Sequence, residues 1–474
     1  MRANATCAKR PTRRKGGIMF KRRASWVIVL LGLTGCAVGE NYQRPTLDLP
    51  PTANEPVAKR DKWWRVFNDT TLDALVDEAL AHNLDLQVAA ARVAASAAML
   101  GLTTAEQLPT AYFNGSSDRN RNSSASGRSA PGQPLDTTTH RLALQVSYEI
   151  DFWGKYRRST EAARAQLLAV EANREALRLS LTSQVAQGYF NLLALDAQIH
   201  VGLEAIRRGK EALAMQKLRF EAGVISEFEY QQRAAELDAG LAQLPPLQSQ
   251  QSHQERALSV LLGRSPRSMM AGRMARAKAS GTLETLLPIL SSAQLLARPD
   301  IVEAEQKLIA ANAHIGVARA AYFPSISLTG LFGTESSALS NLFSGPSRVW
   351  NFAGNATQAL WGAGRLNSEL AASEARKAHA LAQYQAAIAN AFREVQDALA
   401  TQQAAREVYE LQQRRAATLT KSWNLAKLRY EHGVASQLEV IDAERGLLIA
   451  EQSRIEAERL LRFAVADLFR SLGG

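Results

Sequence analysis

Lys217-Leu218-Arg219-Phe220-Glu221-Ala222-Gly223-Val224-Ile225-Ser226 returns 210 positions later as Lys427-Leu428-Arg429-Tyr430-Glu431-His432-Gly433-Val434-Ala435-Ser436. Over 217–237 against 427–447, nine of 21 positions are identical. Trp153-Gly154 returns as Trp361-Gly362, Asn83-Leu84-Asp85 has a counterpart in Arg298-Pro299-Asp300, and Leu108-Pro109 has one in Phe323-Pro324. Matches in one order at offsets of 208–215 describe a tandem duplication of units of roughly 200 residues.

Each unit follows one order: a helix (about 71–107, then 299–321), two short strands, a very long helix, a tight turn and a returning helix. From Arg365 to His432 there are 68 residues without Gly or Pro. As one helix they span about 100 Å. Their apolar stripe steps alternately by three and four, from Leu381, Tyr384, Ile388, Ala391, Val395 and Ala398 to Leu419, Trp423, Ala426 and Tyr430. The returning segment repeats this at Val440, Ala443, Leu447, Ala450, Arg454, Ala457, Leu461, Ala464 and Leu468. A sustained repeat of about 3.5 residues means left-handed coiled-coil packing. Gly433 suits a left-handed stop and Ser436 can cap the next helix. These features predict an antiparallel hairpin over 365–470 with its turn at 431–436, and another over 155–263 with its turn at 221–226. Pro245-Pro246 predicts a break or kink in the first returning helix.

Between the helices the period changes to two. Leu142, Leu144, Val146, Tyr148, Ile150 and Phe152 alternate with Arg141, Ala143, Gln145, Ser147, Glu149 and Asp151. This is the pattern of a transmembrane β-strand, apolar toward lipid and polar toward a wet lumen. Segment 324–333 is similar, 109–119 and 348–360 are weaker strands, and the Gly/Ser/Asn/Pro-rich stretches 119–138 and 334–347 read as loops. Four strands cannot close a barrel, and an open edge cannot face lipid. Three copies would supply twelve strands and six hairpins, a quasi-sixfold helical end.

The chain has 474 residues, 21% charged, with a formal net charge of +11. Nine basic residues and no acidic ones fall in 1–35, leaving 47 basic against 45 acidic elsewhere. The basic excess is therefore a leader, not a nucleic-acid surface. Lys21, Arg22 and Arg23 precede an apolar run from Ala24 to Leu33, as in a secretory signal. Met19 is the more natural start, with 1–18 an upstream extension. The two cysteines, Cys7 and Cys36, exclude a disulfide scaffold.

Leu33-Thr34-Gly35-Cys36 resembles a bacterial lipobox, which implies cleavage before Cys36 and a covalent lipid on it. Ala37 in place of Asp favours the outer membrane. With the segments Ala297-Arg298-Pro299-Asp300-Ile301 and Ala321-Tyr322-Phe323-Pro324-Ser325-Ile326, and the paired Arg-aromatic-x-x-Gly-Val turns, the chain resembles the TolC-like outer-membrane factors of tripartite efflux systems. It is similar in particular to their lipid-anchored OprM/NodT-type branch, and the resemblance covers nearly all of 36–474. The resemblance implies a mainly α fold with a small membrane β-barrel contribution: a trimer forming a 12-stranded barrel on a long α-helical barrel. It implies docking to a periplasmic adaptor and an inner-membrane pump, often of the RND type. The organisation expected is a signal peptide with an upstream extension (1–35), a lipid-anchored segment (36–70), a first efflux repeat (71–263), an equatorial linker (264–298) and a second repeat (299–474).

The family's closed state constricts near the turns. Leu438, Asp442 and Arg445 sit at i, i+4 and i+7 on one helix face. Three Leu438 side chains would form a ring that dewets, and three Asp442 carboxylates a ring that prefers cations. Carried over from OprM-like relatives, Leu438 and Asp442 line the gate, and Arg429, Tyr430 and Arg445 tie helices in the closed state. Gln232 stands where the first repeat would need a second acidic ring. The turns Gly223-Val224 and Gly433-Val434 become adaptor-docking tips. Equally, Leu438 can be plain core, Asp442 a solvated charge, and the turns simple helix stops.

The sequence shows no enzyme signature. His82, His140, His200, His253, His314, His379 and His432 are scattered without metal-ligand spacing, and no phosphate-cradling Gly loop follows a strand. No enzymatic role, cofactor or metal is expected, and the energy for transport must come from a partner. The competing readings are a periplasmic adaptor, which predicts one hairpin beside a separate β-rich module, and a coiled-coil envelope-tethering lipoprotein, which needs no alternating strands.

Overall fold

The computed structural model describes residues 38–47, 62–126, 134–271, 274, 276 and 295–474. Cys36 and the leader lie outside the described residues. The described elements run α1 (Thr70–His82), α2 (Leu84–Ala105), β1 (Thr110–Arg121), β2 (Asp136–Ile150), α3 (Lys155–Glu221), α4 (Glu227–Leu261), α5 (Pro266–Ala271), α6 (Pro299–Ala320), β3 (Ser325–Ser336), β4 (Arg348–Thr357), α7 (Arg365–Glu431) and α8 (Gln437–Leu472). They gather into two compact units. One holds Met99–Arg164, Ile309–Lys377 and the described residues before Arg44; the other holds Arg44–Ala98, Ala165–Leu308 and Ala378–Gly474.

In the first unit the strands form one antiparallel sheet in the order β1-β2-β3-β4. Three strands reach further than expected, since β1 runs to Arg121, β2 begins at Asp136 and β3 ends at Ser336, so the predicted loops are shorter; β4 instead stops at Thr357, short of 360. Strand β2 stops at Ile150, two residues before the end of the alternation. Asp151 ends it by turning its carboxylate onto the first turn of α3, accepting from the Tyr156 and Arg157 N–H groups at 3.1 and 2.9 Å. The long helices α3 and α7 begin at the same place in their repeats. Gly154 and Gly364 both have positive φ (82° and 83°), and each carbonyl accepts an N–H four residues on, from Arg158 and Ser368. That offset is 210, so Trp361-Gly362 is not the positional counterpart of Trp153-Gly154; Gly362-Ala363 puts two extra residues between the second Trp and its helix.

In the second unit both long helices end in the same device. Gly223 and Gly433 adopt φ of +75° and +72°. The following Val224 and Val434 N–H groups reach back to Arg219 and Arg429 carbonyls at 2.8 and 3.0 Å, and the glycine N–H groups reach Phe220 and Tyr430. These are Schellman stops. Ser226 with Glu229, and Ser436 with Glu439, complete capping boxes on the returning helices, each worth about 1 kcal/mol. The ten α7 stripe positions named above are all buried or half-buried, as are all nine of α8, so the 3.5-residue period is read as packing.

Two expectations fail here. The first helix is not continuous: Asn83 breaks it with ψ at 131°. Its Nδ2 donates to the Leu261 carbonyl at 2.9 Å and its Oδ1 accepts the Leu86 N–H at 3.0 Å, capping α2. A buried amide that satisfies both a helix start and a neighbouring helix end outweighs one turn of helical bonding. Conversely, of the break or kink expected at Pro245-Pro246 the break does not occur: α4 continues through both prolines. The prolines orphan the Leu241 and Ala242 carbonyls, but both residues are exposed, so water can satisfy them.

The second unit's main core joins a short 3₁₀ turn (Trp63–Phe67), α1, the middle of α3, and the ends of α4 and α8. Trp63 stacks on Phe469 at 5.5 Å and donates to Thr182 Oγ1 at 3.2 Å. Tyr189 donates to Asp69, the N-cap of α1, at 2.9 Å. Opposite the duplicated turns, Arg298 clips the end of α8. Its buried guanidinium donates to the Ser471 carbonyl at 2.6 Å and pairs with Asp300 and Glu394, each at 2.8 Å. Pro299, at the first position of α6, leaves no N–H to satisfy. Arg298→Ala orphans the Ser471 carbonyl and should lower stability by about 2 kcal/mol, read as a loss of unfolding midpoint in denaturant, with α8's C-terminus becoming the first protease-sensitive segment.

Candidate functional site: a lipid-facing wall and the hairpin ends

The sheet register aligns the apolar faces of all four strands. Phe113 lies opposite Leu144, Leu144 opposite Phe332, and Phe332 opposite Trp350. Their exposures are 73%, 47%, 64% and 70%. A second row runs Ala111, Val146, Gly330 and Phe352, and Phe352 lies against the Gly330 Cα. The opposite face carries Thr110, Ser147 and Thr329 in one row, with an Asn114–Gln145 hydrogen bond (3.2 Å) and an Arg141–Glu335 ion pair. From Leu142 to Ile150 the apolar face covers about 27 Å of strand, which at the usual tilt is about 21 Å of membrane thickness. A contiguous exposed apolar face marks contact with lipid or protein. Among the described residues the outer strands β1 and β4 have no partner on their outer edges.

At the base of the wall Trp153 stacks on Phe323 at 4.5 Å and donates from Nε1 to the Pro324 carbonyl at 2.8 Å. The segment after Cys36 is fastened there: the Val38 N–H donates to the Trp153 carbonyl (3.0 Å), Arg158 donates to the Gly39 carbonyl (2.9 Å), and Gly39 packs on Gly316.

The hairpin ends belong to the other unit. Val224 and Val434 are exposed beside their positive-φ glycines. Leu438 is half exposed and Asp442 exposed on one face of α8. Arg445 reaches Glu236 on α4 at 2.5 Å, and this bond raises its guanidinium pKa above the ordinary value. The Tyr430 hydroxyl accepts from Gln216 (2.9 Å) and Arg219 (2.5 Å) on α3. Arg429 stays within its own hairpin, 3.4 Å from the Val434 carbonyl and 3.7 Å from Glu439. Thus Tyr430 and Arg445 bridge the two hairpins of one chain, and Arg429 bridges only α7 to α8. The most buried ion pair between the hairpins was absent from the sequence reading: Arg233 on α4 pairs with Glu444 on α8 at 2.9 Å, with Arg208 of α3 at 3.8 Å from the same carboxylate and 5.3 Å over the Trp423 ring. Neither Arg233 nor Glu444 has a charged counterpart in the other repeat (Ala443 and Ala234), so self-comparison cannot find them. The Arg219–Tyr430 contact did have a signal. Of the paired aromatics only Tyr430 has a hydroxyl, and Phe220 instead stacks on Tyr230 at 5.5 Å.

The family model described as "Outer membrane efflux protein" matches residues 75–264 and 290–474. The chain belongs to this family. It is 34% identical over 459 residues to the Cation efflux system protein CusC of Escherichia coli K12, covering 94% of this chain and 98% of that protein. It is 31% identical to the Probable outer membrane lipoprotein SilC of Salmonella typhimurium, covering 96% and 99%. The crystal structure of the Campylobacter jejuni CmeC outer membrane channel matches with a TM-score of 0.86 and 28% identity, over 92% of this chain and 95% of that one. The protein is an outer-membrane efflux channel. Like the other members of the outer membrane efflux protein family, it is a channel protein, which sets aside the adaptor and tether readings.

The apolar rows carry a direct expectation for this channel. Phe352→Lys, in the middle of the lipid-facing band, should cost about 2–4 kcal/mol of membrane-inserted stability, whereas Asn351→Lys on the polar face should cost little. Urea unfolding of the two variants in lipid vesicles checks this; equal loss would mean the face is not a lipid face.

Proposed function

We propose that three copies of this chain close their four-stranded sheets into one twelve-stranded barrel, forming the exit duct of a tripartite pump. The row Phe113–Leu144–Phe332–Trp350 carries the reading: an exposed apolar wall with unpaired edge strands is unstable in lipid unless further strands complete it. Helix α2 supports it. It is long and apolar enough to cross a membrane, yet of its 22 residues only Ala89 is buried, a face suited to cover by another copy.

The duct meets a periplasmic adaptor at the tips Gly223-Val224 and Gly433-Val434 and an inner-membrane, RND-type pump beyond it. The chain needs no cofactor or catalytic step, because the pump supplies the energy. Leu438 and Asp442 form the gate rings, held by the bridges of Tyr430 and Arg445, with Arg429 stiffening the turn. The organisation into leader, lipid-anchored segment, two repeats and linker is retained as first read, with a break at Asn83 inside the first repeat. A lipid on Cys36 is supported by the lipoprotein named among the relatives and by the fastening of Val38 at the base of the sheet.

Single-channel conductance in a planar bilayer tests the gate. The wild type should conduct weakly and the Leu438→Ala/Asp442→Ala variant several-fold more. A large, steady wild-type conductance would discard these gate residues, and no conductance from either would sink the duct. Cys36→Ala should leave a cross-linkable trimer in the outer membrane at reduced yield, since the sheet also anchors the chain; a wholly soluble product would contradict the membrane wall.

A further inference from the structure

A groove of about 720 Å³ opens beside the base of the sheet, between α6 and the first turns of α7. Its walls carry four basic side chains: Lys155, His314, Arg365 and Arg376. Two of them are occupied. Lys155 bonds Glu149 at 3.2 Å, and Arg365 bonds Glu369 at 2.6 Å. Arg376 and His314 have no ion-pair or hydrogen-bond partner among the described residues. The two lie close enough that Arg376, together with burial in the groove wall as the larger cause, holds the His314 imidazole below its ordinary pKa. The floor between the charges is apolar, formed by Val317, Ala318 and Ala372.

The side of the wall on which this groove lies follows from four contacts. Glu149 belongs to the polar face of β2, opposite Leu144 and Val146, and it holds both Lys155 and the Tyr156 hydroxyl (2.9 Å). The segment at 38–41 covers the other side of α6, where Gly316 touches Gly39 and Asn312 donates to the Glu40 carbonyl at 3.1 Å. On a helix of about 3.6 residues per turn, His314, Val317, Ala318 and Ala321 lie opposite Asn312 and Gly316. The groove therefore lies on the side of the polar sheet face.

We propose that this groove is a binding site for amphipathic organic anions passing through the duct, with Arg376 taking the carboxylate or sulfonate and the Val/Ala floor taking the apolar body. The proposal rests on the duct reading only for the word "passing"; binding itself does not require it. The chemistry is specific in two respects. An unpaired guanidinium beside a neutral imidazole offers charge-assisted and neutral donors to one planar anion. A cation of the same shape would meet Lys155, Arg365 and Arg376 with no unpaired carboxylate among the groove walls to receive it. The volume is in the range of a drug-sized ligand.

The probe is a matched pair, 2-naphthoate and (2-naphthylmethyl)trimethylammonium, titrated calorimetrically into the purified full-length protein in non-ionic detergent. The wild type should bind naphthoate in preference to the ammonium. Arg376→Gln should weaken naphthoate roughly tenfold and leave the ammonium unchanged, and Arg376→Lys should recover part of the loss. Raising the salt concentration should narrow the gap between wild type and Arg376→Gln. Absence of naphthoate binding to the wild type, equal affinity in Arg376→Gln, or preference for the ammonium would each overturn the proposal. Arg376 is exposed on one face of α7, so the variant's trimer by cross-linking should match wild type. A normal trimer with unchanged naphthoate affinity rejects the site and leaves the duct standing, whereas absence of a trimer in the wild type rejects the duct.

Discussion

The constraint on which the rest depends is the hydrogen-bonding demand of a backbone in hydrocarbon. Every N–H and C=O in lipid needs a protein partner, and a sheet ordered β1-β2-β3-β4 leaves both outer strands half unpaired. The same strands expose Phe113, Leu144, Phe332, Trp350 and Phe352 on one face. In water such a face and such edges would promote aggregation. In an outer membrane the proposed closure with further copies would remove the edges while the apolar rows meet lipid. The duplication then follows as a matter of geometry: each repeat supplies two strands and one hairpin, so strand number and hairpin number grow together.

The hairpins solve a different problem. A 67-residue helix has no compact domain to bury it, so its stability comes from a narrow stripe packed along its whole length. Small residues at the stripe let the helices approach closely, and Gly223 and Gly433 stop both long helices with the same backbone bonds. Toward the turns the contacts between the hairpins are polar instead, whereas α3 and α8 meet through the apolar core further along. Arg233–Glu444, Arg445–Glu236 and the Gln216/Arg219–Tyr430 cluster are directional and desolvated to different degrees. Apolar seams tolerate small sliding, whereas such pairs hold one arrangement or none. A helical end gated as proposed would be better served by the second kind of contact.

The elements that were legible in the sequence are those governed by periodicity. Leu142 to Ile150 alternates because one face of β2 is apolar and the other polar, and the α7 stripe steps by three and four because one narrow seam is buried; both patterns survive in the structure residue for residue. The misreadings occurred where a single side chain decided the backbone. Asn83 reads as an ordinary helix residue until its amide is seen bonding the end of α4. Pro245-Pro246 reads as a break or kink, and the helix runs on through it with its orphaned carbonyls exposed to water. Trp361-Gly362 reads as the partner of Trp153-Gly154 until the helix starts show the two-residue insertion.

The sequence by itself determined the duplication, the two hairpins and their turns, the lipid-facing alternation and the membership of an outer-membrane efflux family, because each of these is written in local spacing that survives without knowledge of what lies across from it. Only the tertiary structure decided which residues join the hairpins, how four strands align Phe113 with Trp350 in one row, and that Arg376 and His314 face a common groove. Those facts depend on residues 62 to 237 positions apart on separate elements. Their pairing is set by strand register and helix rotation, where one residue of slip turns every side chain to the other face, and no local pattern in a single chain records that choice.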